Sequence, residues 1–247
     1  MTVQQSPTPL PAASDDWLSR TRLLLGEDRM ERLAVARVLV VGTGGVGAYA
    51  AEMLCRAGIG RLVIIDPDTV APSNINRQLP ALHSTVGQPK AAVLAARLAD
   101  INPALDIDAR QQFVEGDAIG VLLDEGYDFI VDAIDTVAPK CDLIAAALGR
   151  GMKIVSSMGA GAKTDPSQIK LADLWQTTNC GLAKAVRNGL KRRGIRAKLP
   201  VVFSTEPADP AASVAVNEKN KKTTTGTISY MPAIFGCHLA AYVLKHL

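Results

Sequence analysis

The stretch RVLVVGTGGVG, residues 37–47, determines the fold. Its first half is a short apolar run rich in Val, as expected of a strand buried in a parallel sheet. Gly42 permits a tight turn, Gly44 lets the backbone approach a phosphate, and Gly47 lets a helix pack closely on the strand. The stretch therefore predicts a strand, a phosphate-binding turn and the N-terminus of a helix, which attracts anions.

Strands and helices alternate along the chain after this stretch. We predict helices at 46–57, 90–101, 118–125 and 140–150, and strands at 61–66, 105–110, 129–133 and 153–156. This alternation predicts an α/β fold with a doubly wound, mostly parallel sheet of the Rossmann-like type. Beyond about Gly159 the pattern loosens into strands at 168–171 and 200–204, a basic helical segment between them, and a polar loop at 209–222. We expect these residues to form a C-terminal mixed-sheet elaboration.

The length and composition are consistent with one large domain. The chain has 247 residues, of which 48% are hydrophobic, enough for a substantial core. Residues 1–16 are rich in Pro, Ser and Thr, so we expect a disordered tail. We expect a single nucleotide-binding domain over 17–247, in which 160–247 serves substrate binding and dimerisation.

The cysteines and the apolar segments indicate a cytoplasmic setting. Cys55, Cys141, Cys180 and Cys237 form no C-x-x-C pair, which disfavours both a disulfide framework and a four-cysteine zinc site. The N-terminus lacks the pattern of a signal peptide. The apolar segment 231–244 is shorter than the roughly 20 residues that span a bilayer, so we predict a buried or dimer-packed helix and no membrane partner.

The residues after Asp66 decide between two nucleotides. The glycine loop followed by a strand-end acid is also the fingerprint of NAD-binding proteins, so an NAD-dependent oxidoreductase stays an alternative. Arg77, Lys90 and Asp135 favour a triphosphate, because its charge must be neutralised when the α-phosphorus is attacked. Asp135, at the end of a predicted strand, is a candidate Mg²⁺ ligand, since Mg²⁺ prefers carboxylate oxygens.

These motifs resemble a family of adenylating enzymes. GTGGVG, DPD at 66–68, NINRQ at 74–78, Lys90 and DAID at 132–135 are similar to the family that includes the ubiquitin-activating, molybdopterin-synthase-activating and thiamine-pathway enzymes. The resemblance implies a domain that usually dimerises and a reaction in which ATP and a carboxylate give an acyl-adenylate and pyrophosphate. It implies nucleotide contacts from Gly42, Gly44, Gly45, Gly47, Asp66, Asp68, Asn76, Arg77 and Lys90, and Mg²⁺ binding by Asp135.

A further arginine element supports the same resemblance. Ser19-Arg20-Thr21 is similar to the family's arginine element before the first strand. The resemblance implies that Arg20 reaches the triphosphate, in many members from the partner subunit of a homodimer. The catalytic residues it implies are then Arg20, Arg77, Lys90 and Asp135.

One branch of the family is most similar. GYDFIVDAIDT at 126–136, AKTDPSQI at 162–169, CGLAKAVR at 180–187, VVFSTEP at 201–207 and GTISY at 226–230 resemble the bacterial tRNA threonylcarbamoyladenosine dehydratases, from about Trp17 to the C-terminus. Those enzymes adenylate the threonylcarbamoyl carboxylate on the adenosine next to the anticodon, and the carbamoyl group then closes a ring with loss of AMP. The resemblance implies the tRNA anticodon arm as a partner, and a sulfur-transfer or desulfurase-type protein as a candidate second partner.

A basic run between residues 184 and 198 is a candidate tRNA contact. It contains seven basic residues and no acidic residue, which suits contact with phosphates. The candidates for tRNA binding are Lys184, Arg187, Lys191, Arg192 and Arg193. Cys180 precedes this run, and we favour a structural role for it over a catalytic one, because ring closure within one substrate needs no covalent enzyme intermediate.

Two further alternatives stay open. The chain is also consistent with an enzyme that adenylates the C-terminal glycine of a ubiquitin-like sulfur-carrier protein, although the missing C-x-x-C pairs and the basic run count against this. A non-catalytic nucleotide-binding scaffold is expected to have lost Arg77 or Asp135, both of which are present.

Overall fold

A computed structural model describes residues 16–218 and 221–247, with side chains described at 16–214 and 225–247. The predicted disorder of the tail therefore falls, except for Asp16, outside the described residues. The elements in chain order are α1 (Ser19–Leu25), α2 (Glu27–Val35), β1 (Arg37–Val41), α3 (Gly47–Arg56), β2 (Arg61–Ile65), α4 (Lys90–Ile101), β3 (Asp106–Arg110), α5 (Asp117–Asp124), β4 (Phe129–Asp132), α6 (Val137–Gly149), β5 (Ile154–Ser157), β6 (Ile169–Asp173), α7 (Gly181–Arg192), β7 (Pro200–Ser204), β8 (Ser213–Glu218), β9 (Lys221–Thr225) and α8 (Tyr230–His246).

A seven-stranded sheet in the order β3-β2-β1-β4-β5-β7-β6 forms the centre of the molecule. Neighbouring strands are parallel except β6, which runs antiparallel to β7. The predicted doubly wound α/β sheet with a mixed C-terminal part is confirmed. The strand order reverses between β1 and β4, and in such sheets ligands bind at the carboxyl ends of the two strands that flank this point.

The sheet is buried on both faces, as the apolar run in β1 predicts. Val38 and Val40 face one core, which is closed by α3, α4 and α8. Leu39 and Val41 face the other core, which is closed by α5, α6 and α7. The C-terminal helix α8 thus packs on the chain's own core, and Phe235 is among its fully buried side chains.

Two predicted boundaries are wrong. The polar loop expected at 209–222 overlaps the antiparallel pair β8 and β9, which ends at Thr225. The many charged and amide residues suggested a loop, but the valines of SVAVNE and the threonines of KKTTT favour strands. Helix α6 begins at Val137 and not at Lys140, because Pro139 lies in the first turn, where a missing N–H breaks no helical hydrogen bond.

A buried carboxylate clamps the helices that begin at the glycine loop and at Lys90. Glu52 on α3 is 6% exposed and accepts from Arg97 of α4 at 2.7 Å and from Arg56 at 2.8 Å. Burial raises the pKa of Glu52, but these two arginines outweigh it and leave the pKa below its ordinary value of 4.5. The Arg97 ion pair therefore joins α3 to α4 while Glu52 is charged.

No helix within the described ranges combines the length and the apolar character needed to cross a bilayer.

Glu52→Gln is expected to lower the free energy of unfolding by about 1–2 kcal/mol near neutral pH, because it removes a nearly buried charge that pairs with two half-exposed arginines. The pKa of Glu52 is lower in the folded chain, so its stabilisation is present above the unfolded value and disappears as the pH falls through the folded one. Urea unfolding of parent and variant between about pH 6 and about pH 3 should show the difference narrowing. Glu31→Gln, at an exposed position, is the control, and an equal loss of stability there would contradict the clamp.

Candidate functional site

The glycine loop adopts a conformation that only glycine permits at two positions. Gly42 has a φ of +91°, and a Cβ there would lie 2.7 Å from the carbonyl oxygen of Ala133. A Cβ on Gly47 would lie 1.7 Å from the carbonyl oxygen of Gly42. The loop is therefore wedged between the start of α3 and the turn that follows β4.

The amides of this loop are free for a ligand. The N–H groups of Gly44, Gly45 and Val46 donate to no acceptor in the described part of the chain, and they precede the first turn of α3. Helix N-termini with unpaired N–H groups bind phosphate groups well. The predicted phosphate-binding turn therefore has the required donors.

Asp66 binds the backbone of the glycine loop at Thr43. Its carboxylate accepts from the N–H of Thr43 at 2.6 Å and from the N–H of Asp68 at 2.9 Å. Burial raises the pKa of Asp66, although these N–H groups and Lys90 act in the opposite direction. A carboxylate has about four lone-pair positions. The expected ribose contact stays a prediction, and loop support is a role that the sequence did not indicate.

Lys90 lies at the start of α4 with its ammonium already paired. The Lys90 side chain is 6% exposed, and its Nζ lies 2.7 Å from an oxygen of Asp68, whose side chain is 60% exposed. The N–H of Lys90 also donates to the carbonyl of Asp68 at 3.0 Å. The structure thus brings Asp66, Asp68 and Lys90 together, and phosphate binding by Lys90 requires exchange with Asp68.

The segment 74–78 covers the glycine loop. A Cβ added to Gly44 would lie 3.6 Å from the Gln78 side chain. A Cβ added to Gly45 would lie 3.5 Å from the carbonyl oxygen of Arg77. The Arg77 guanidinium donates to Ser73 at 2.9 Å and to the Asn76 side chain at 2.8 Å. The predicted residues Asn76 and Arg77 are therefore beside the loop, although their side chains bond to the protein itself; Asn76 donates to the Thr227 carbonyl at 3.0 Å.

Gln78 is a candidate site residue that the sequence analysis missed. Its Oε1 is buried and has no hydrogen-bond partner among the described residues, as is also true of the Thr43 hydroxyl. A buried polar atom without a partner is uncommon and costs free energy. The signal was available, because Gln78 ends the NINRQ motif that was used for its other members.

Asp135 lies on the turn between β4 and α6, beside the glycine loop. It is exposed, and its carboxylate makes no hydrogen bond or ion pair with the parts of the chain that the structure describes. Its neighbour Ile134 lies close to Gly42, so the carboxyl ends of β1 and β4 meet as the strand order requires. An unpaired carboxylate next to free loop amides suits a metal-bound polyphosphate.

Comparison with known proteins agrees with this arrangement. A model of the ThiF family matches residues 18–247. The chain belongs to the ThiF family. It is 38% identical to the tRNA threonylcarbamoyladenosine dehydratase of Bacillus subtilis over 93% of each chain, and 41% identical to that of Escherichia coli over 78% of this chain and 76% of the other. The E. coli tRNA N6-threonylcarbamoyladenosine dehydratase in complex with ATP has a TM-score of 0.85 and 36% identity over 95% of this chain and 96% of the other.

The family resemblance expected from the motifs is confirmed by these matches. The roles of the individual site residues rest, in contrast, on the geometry described above. Among the described residues, no group of three or more His, Cys, Asp or Glu side chains is placed to hold a metal ion. A cage made only of protein ligands is therefore not part of the described site.

Arg20 is distant from the glycine loop of its own chain. Leu18, two residues earlier, lies against Gly58, just beyond the C-terminal end of α3. The glycine loop lies at the other end of α3, which has ten residues and is therefore about 15 Å long. Arg20 itself is exposed on α1. The described fold therefore does not bring Arg20 to the other predicted residues within one chain.

The predicted tRNA-binding residues separate into two groups. Arg187 donates to the carbonyl of Thr177 at 3.0 Å, and Arg193 pairs with Asp142 and donates to Gly189. Lys184, Lys191 and Arg192 are exposed, and Lys191 lies 6.0 Å from the centre of the Trp175 ring. Three of the five side chains thus face solvent, while the other two support the protein's own backbone or a neighbouring helix.

Cys180 caps helix α7. The residue is 8% exposed, and its thiol accepts from the N–H of Ala183 at 3.5 Å. A buried capping thiol is poorly placed to attack a substrate. The geometry supports the structural role that the sequence analysis favoured.

Proposed function

We propose that the protein is an ATP-dependent tRNA threonylcarbamoyladenosine dehydratase. The observation that carries this proposal is the free glycine-loop amides beside the unpaired carboxylate of Asp135, in a chain related over 93% of its length to a dehydratase of this kind. The substrate is the threonylcarbamoyl carboxylate on the adenosine next to the anticodon. Its product is the cyclic form, and AMP and pyrophosphate are released.

The first step is adenylation. The substrate carboxylate attacks the α-phosphorus of ATP and displaces pyrophosphate. The amides of Gly44, Gly45 and Val46 bind phosphate oxygens, and Arg77 and Lys90 neutralise the developing negative charge once they exchange their present partners for phosphates. In the second step the carbamoyl group of the same substrate displaces AMP, and the ring closes. Because the nucleophile is already tethered, the protein needs to supply only positioning.

Mg²⁺ is the metal that this site suits. Mg²⁺ is typically held by one or two carboxylates together with substrate phosphates and water, and it supplies charge neutralisation at the phosphates. Asp135 is a single exposed carboxylate of this kind. Asp66 is less suitable, because it already binds two N–H groups.

We further propose a homodimer in which Arg20 acts in the partner's site. Leu23 and Leu24 of α1 are 65% and 83% exposed, an apolar surface that a second copy would bury. Such a pairing would allow the arginine that is too far from its own loop to reach another. A cytoplasmic location is consistent with a tRNA substrate. The resemblance also implies a sulfur-transfer protein as a partner, which co-purification followed by mass spectrometry would test.

The decisive measurement is mass spectrometry of nucleosides from tRNA that carries threonylcarbamoyladenosine, after incubation with the protein, ATP and Mg²⁺. A mass loss equal to one water is expected in the modified nucleoside. Asp135→Asn should lower the rate at least about 100-fold, since charge stabilisation at the phosphates is lost. The same change at Asp100, an exposed residue on α4, should leave the rate unchanged.

An unchanged nucleoside with the parent protein, in a protocol that preserves the hydrolysis-prone ring, would refute the proposal. ATP–pyrophosphate exchange stimulated by a small carrier protein and not by tRNA would replace it with the carrier-protein alternative.

Replacing Lys184, Lys191 and Arg192 together by Gln should weaken tRNA binding while leaving ATP binding unchanged. For each tRNA phosphate that the variant no longer neutralises, the slope of log K against log salt should become shallower by about 0.7–0.9. The matched control replaces Arg61, Lys153 and Lys245, which carry the same charge, are exposed, and lie at the start of β2, just before β5 and near the end of α8. Equal weakening in the two triple variants would show that the α7 surface is not the binding surface.

Complementation between two inactive variants tests whether Arg20 acts in the partner's site. Arg20→Ala and Asp135→Asn are each expected to be inactive alone, but their mixed dimer contains one site with both residues intact. Equal mixing after subunit exchange should therefore restore about a quarter of the parent sites, as random pairing of two subunits requires. A mixture as inactive as its components would place Arg20 outside the partner's site.

A further inference from the structure

The turn that carries Asp135 is held by charges buried beneath it. Asp132 ends β4, Lys140 lies in the first half of α6, and Ser156 belongs to β5; all three are fully buried. The Lys140 ammonium lies 2.8 Å from an oxygen of Asp132, and the Ser156 hydroxyl donates to the same oxygen at 2.6 Å. Asp132 belongs to the DAID motif, whereas no motif in the sequence pointed to Lys140.

The same groups bind the backbone between β4 and α6. Lys140 donates to the carbonyl of Ile134 at 2.9 Å, and the other oxygen of Asp132 accepts from the N–H of Ile134 at 3.1 Å. Both backbone polar groups of the residue directly before Asp135 are therefore fixed. The turn has little freedom to change the direction in which Asp135 projects.

The turn also forms one wall of the glycine loop. The N–H of Ala133 donates to the carbonyl of Val41 at 2.8 Å, and the Ala133 carbonyl is the atom that a side chain on Gly42 would strike. The turn that carries Asp135 thus packs directly against the phosphate-binding loop.

Stability alone is a weak reason for such an arrangement. Removing two charges from water is costly, and a buried ion pair replaced by apolar groups of similar size often leaves stability unchanged or increased. The ammonium is neutralised by Asp132 and shielded from solvent, so it does not act directly on a nucleotide. Its position and bonds are those of a group that orients another.

We propose that Lys140 is a positioning residue: bound to Asp132 and to the Ile134 carbonyl, it holds the 133–135 turn so that Asp135 meets the metal of a bound Mg²⁺–ATP. The inference rests on the proposed ATP-dependent reaction and adds a residue to its machinery. Groups that orient a metal ligand typically change metal affinity by about 10–100-fold when removed.

The test measures how much Mg²⁺ tightens ATP binding, by calorimetry with and without Mg²⁺ and without tRNA. Lys140→Met alone would leave a buried carboxylate unpaired, so the variant is the double change Asp132→Asn, Lys140→Met, which removes both charges. It should keep its ATP affinity without Mg²⁺ and lose at least about tenfold of the Mg²⁺ enhancement. Leu98→Ala, a buried change near the far end of α4, controls for lost stability and should keep the enhancement.

A double-mutant cycle that combines this double change with Asp135→Asn distinguishes positioning of Asp135 from an independent effect of Lys140. If Lys140 acts through Asp135, adding the double change to Asp135→Asn should cause no further loss of the enhancement, whereas independent effects multiply. A double variant with the parent's enhancement, or losses that multiply, would overturn the proposal. A parent that shows the enhancement but leaves tRNA unmodified would refute the proposed function alone.

Discussion

The contact between the glycine loop and the turn after β4 is the constraint on which the site depends. β1 and β4 are neighbours in the sheet, but their following helices pack on opposite faces, and this opens a crevice where the two strands end. Gly42 lies against the backbone of Ala133 at the base of that crevice, and no side chain would fit on Gly42 there. Free amides on one wall and the Asp135 carboxylate on the other are therefore held at a fixed separation, although they are far apart in sequence.

Local sequence patterns were sufficient for the fold and for part of the site. Buried parallel strands are apolar throughout, so β1, β2 and β4 were recognisable without knowing their neighbours. The glycine loop follows from the steric needs of one turn, and the roles of Gly42 and Gly47 in the structure are those that the sequence predicts. Asp135 was found because parallel strands end at a common edge, which makes any carboxylate placed there a candidate ligand.

The features that sequence did not reveal depend on distant parts of the chain. Lys140 reads as an ordinary helix residue until Asp132 and Ser156 are seen around it. Arg187 and Arg193 belong to a basic run, but only the packing of α7 shows that their guanidiniums bind carbonyls and Asp142. The placement of α1 near the far end of α3 likewise follows from tertiary packing, so whether Arg20 serves its own chain was not predictable from a short motif.

Because Lys90 is paired with Asp68, an anion that binds in the crevice must compete with the protein's own carboxylate for the Lys90 ammonium. The ammonium is nearly buried while its carboxylate partner is largely exposed, so Asp68 can turn towards water when a stronger anion arrives. A polyphosphate carries more negative charge than a monophosphate, so it is the stronger competitor for that ammonium.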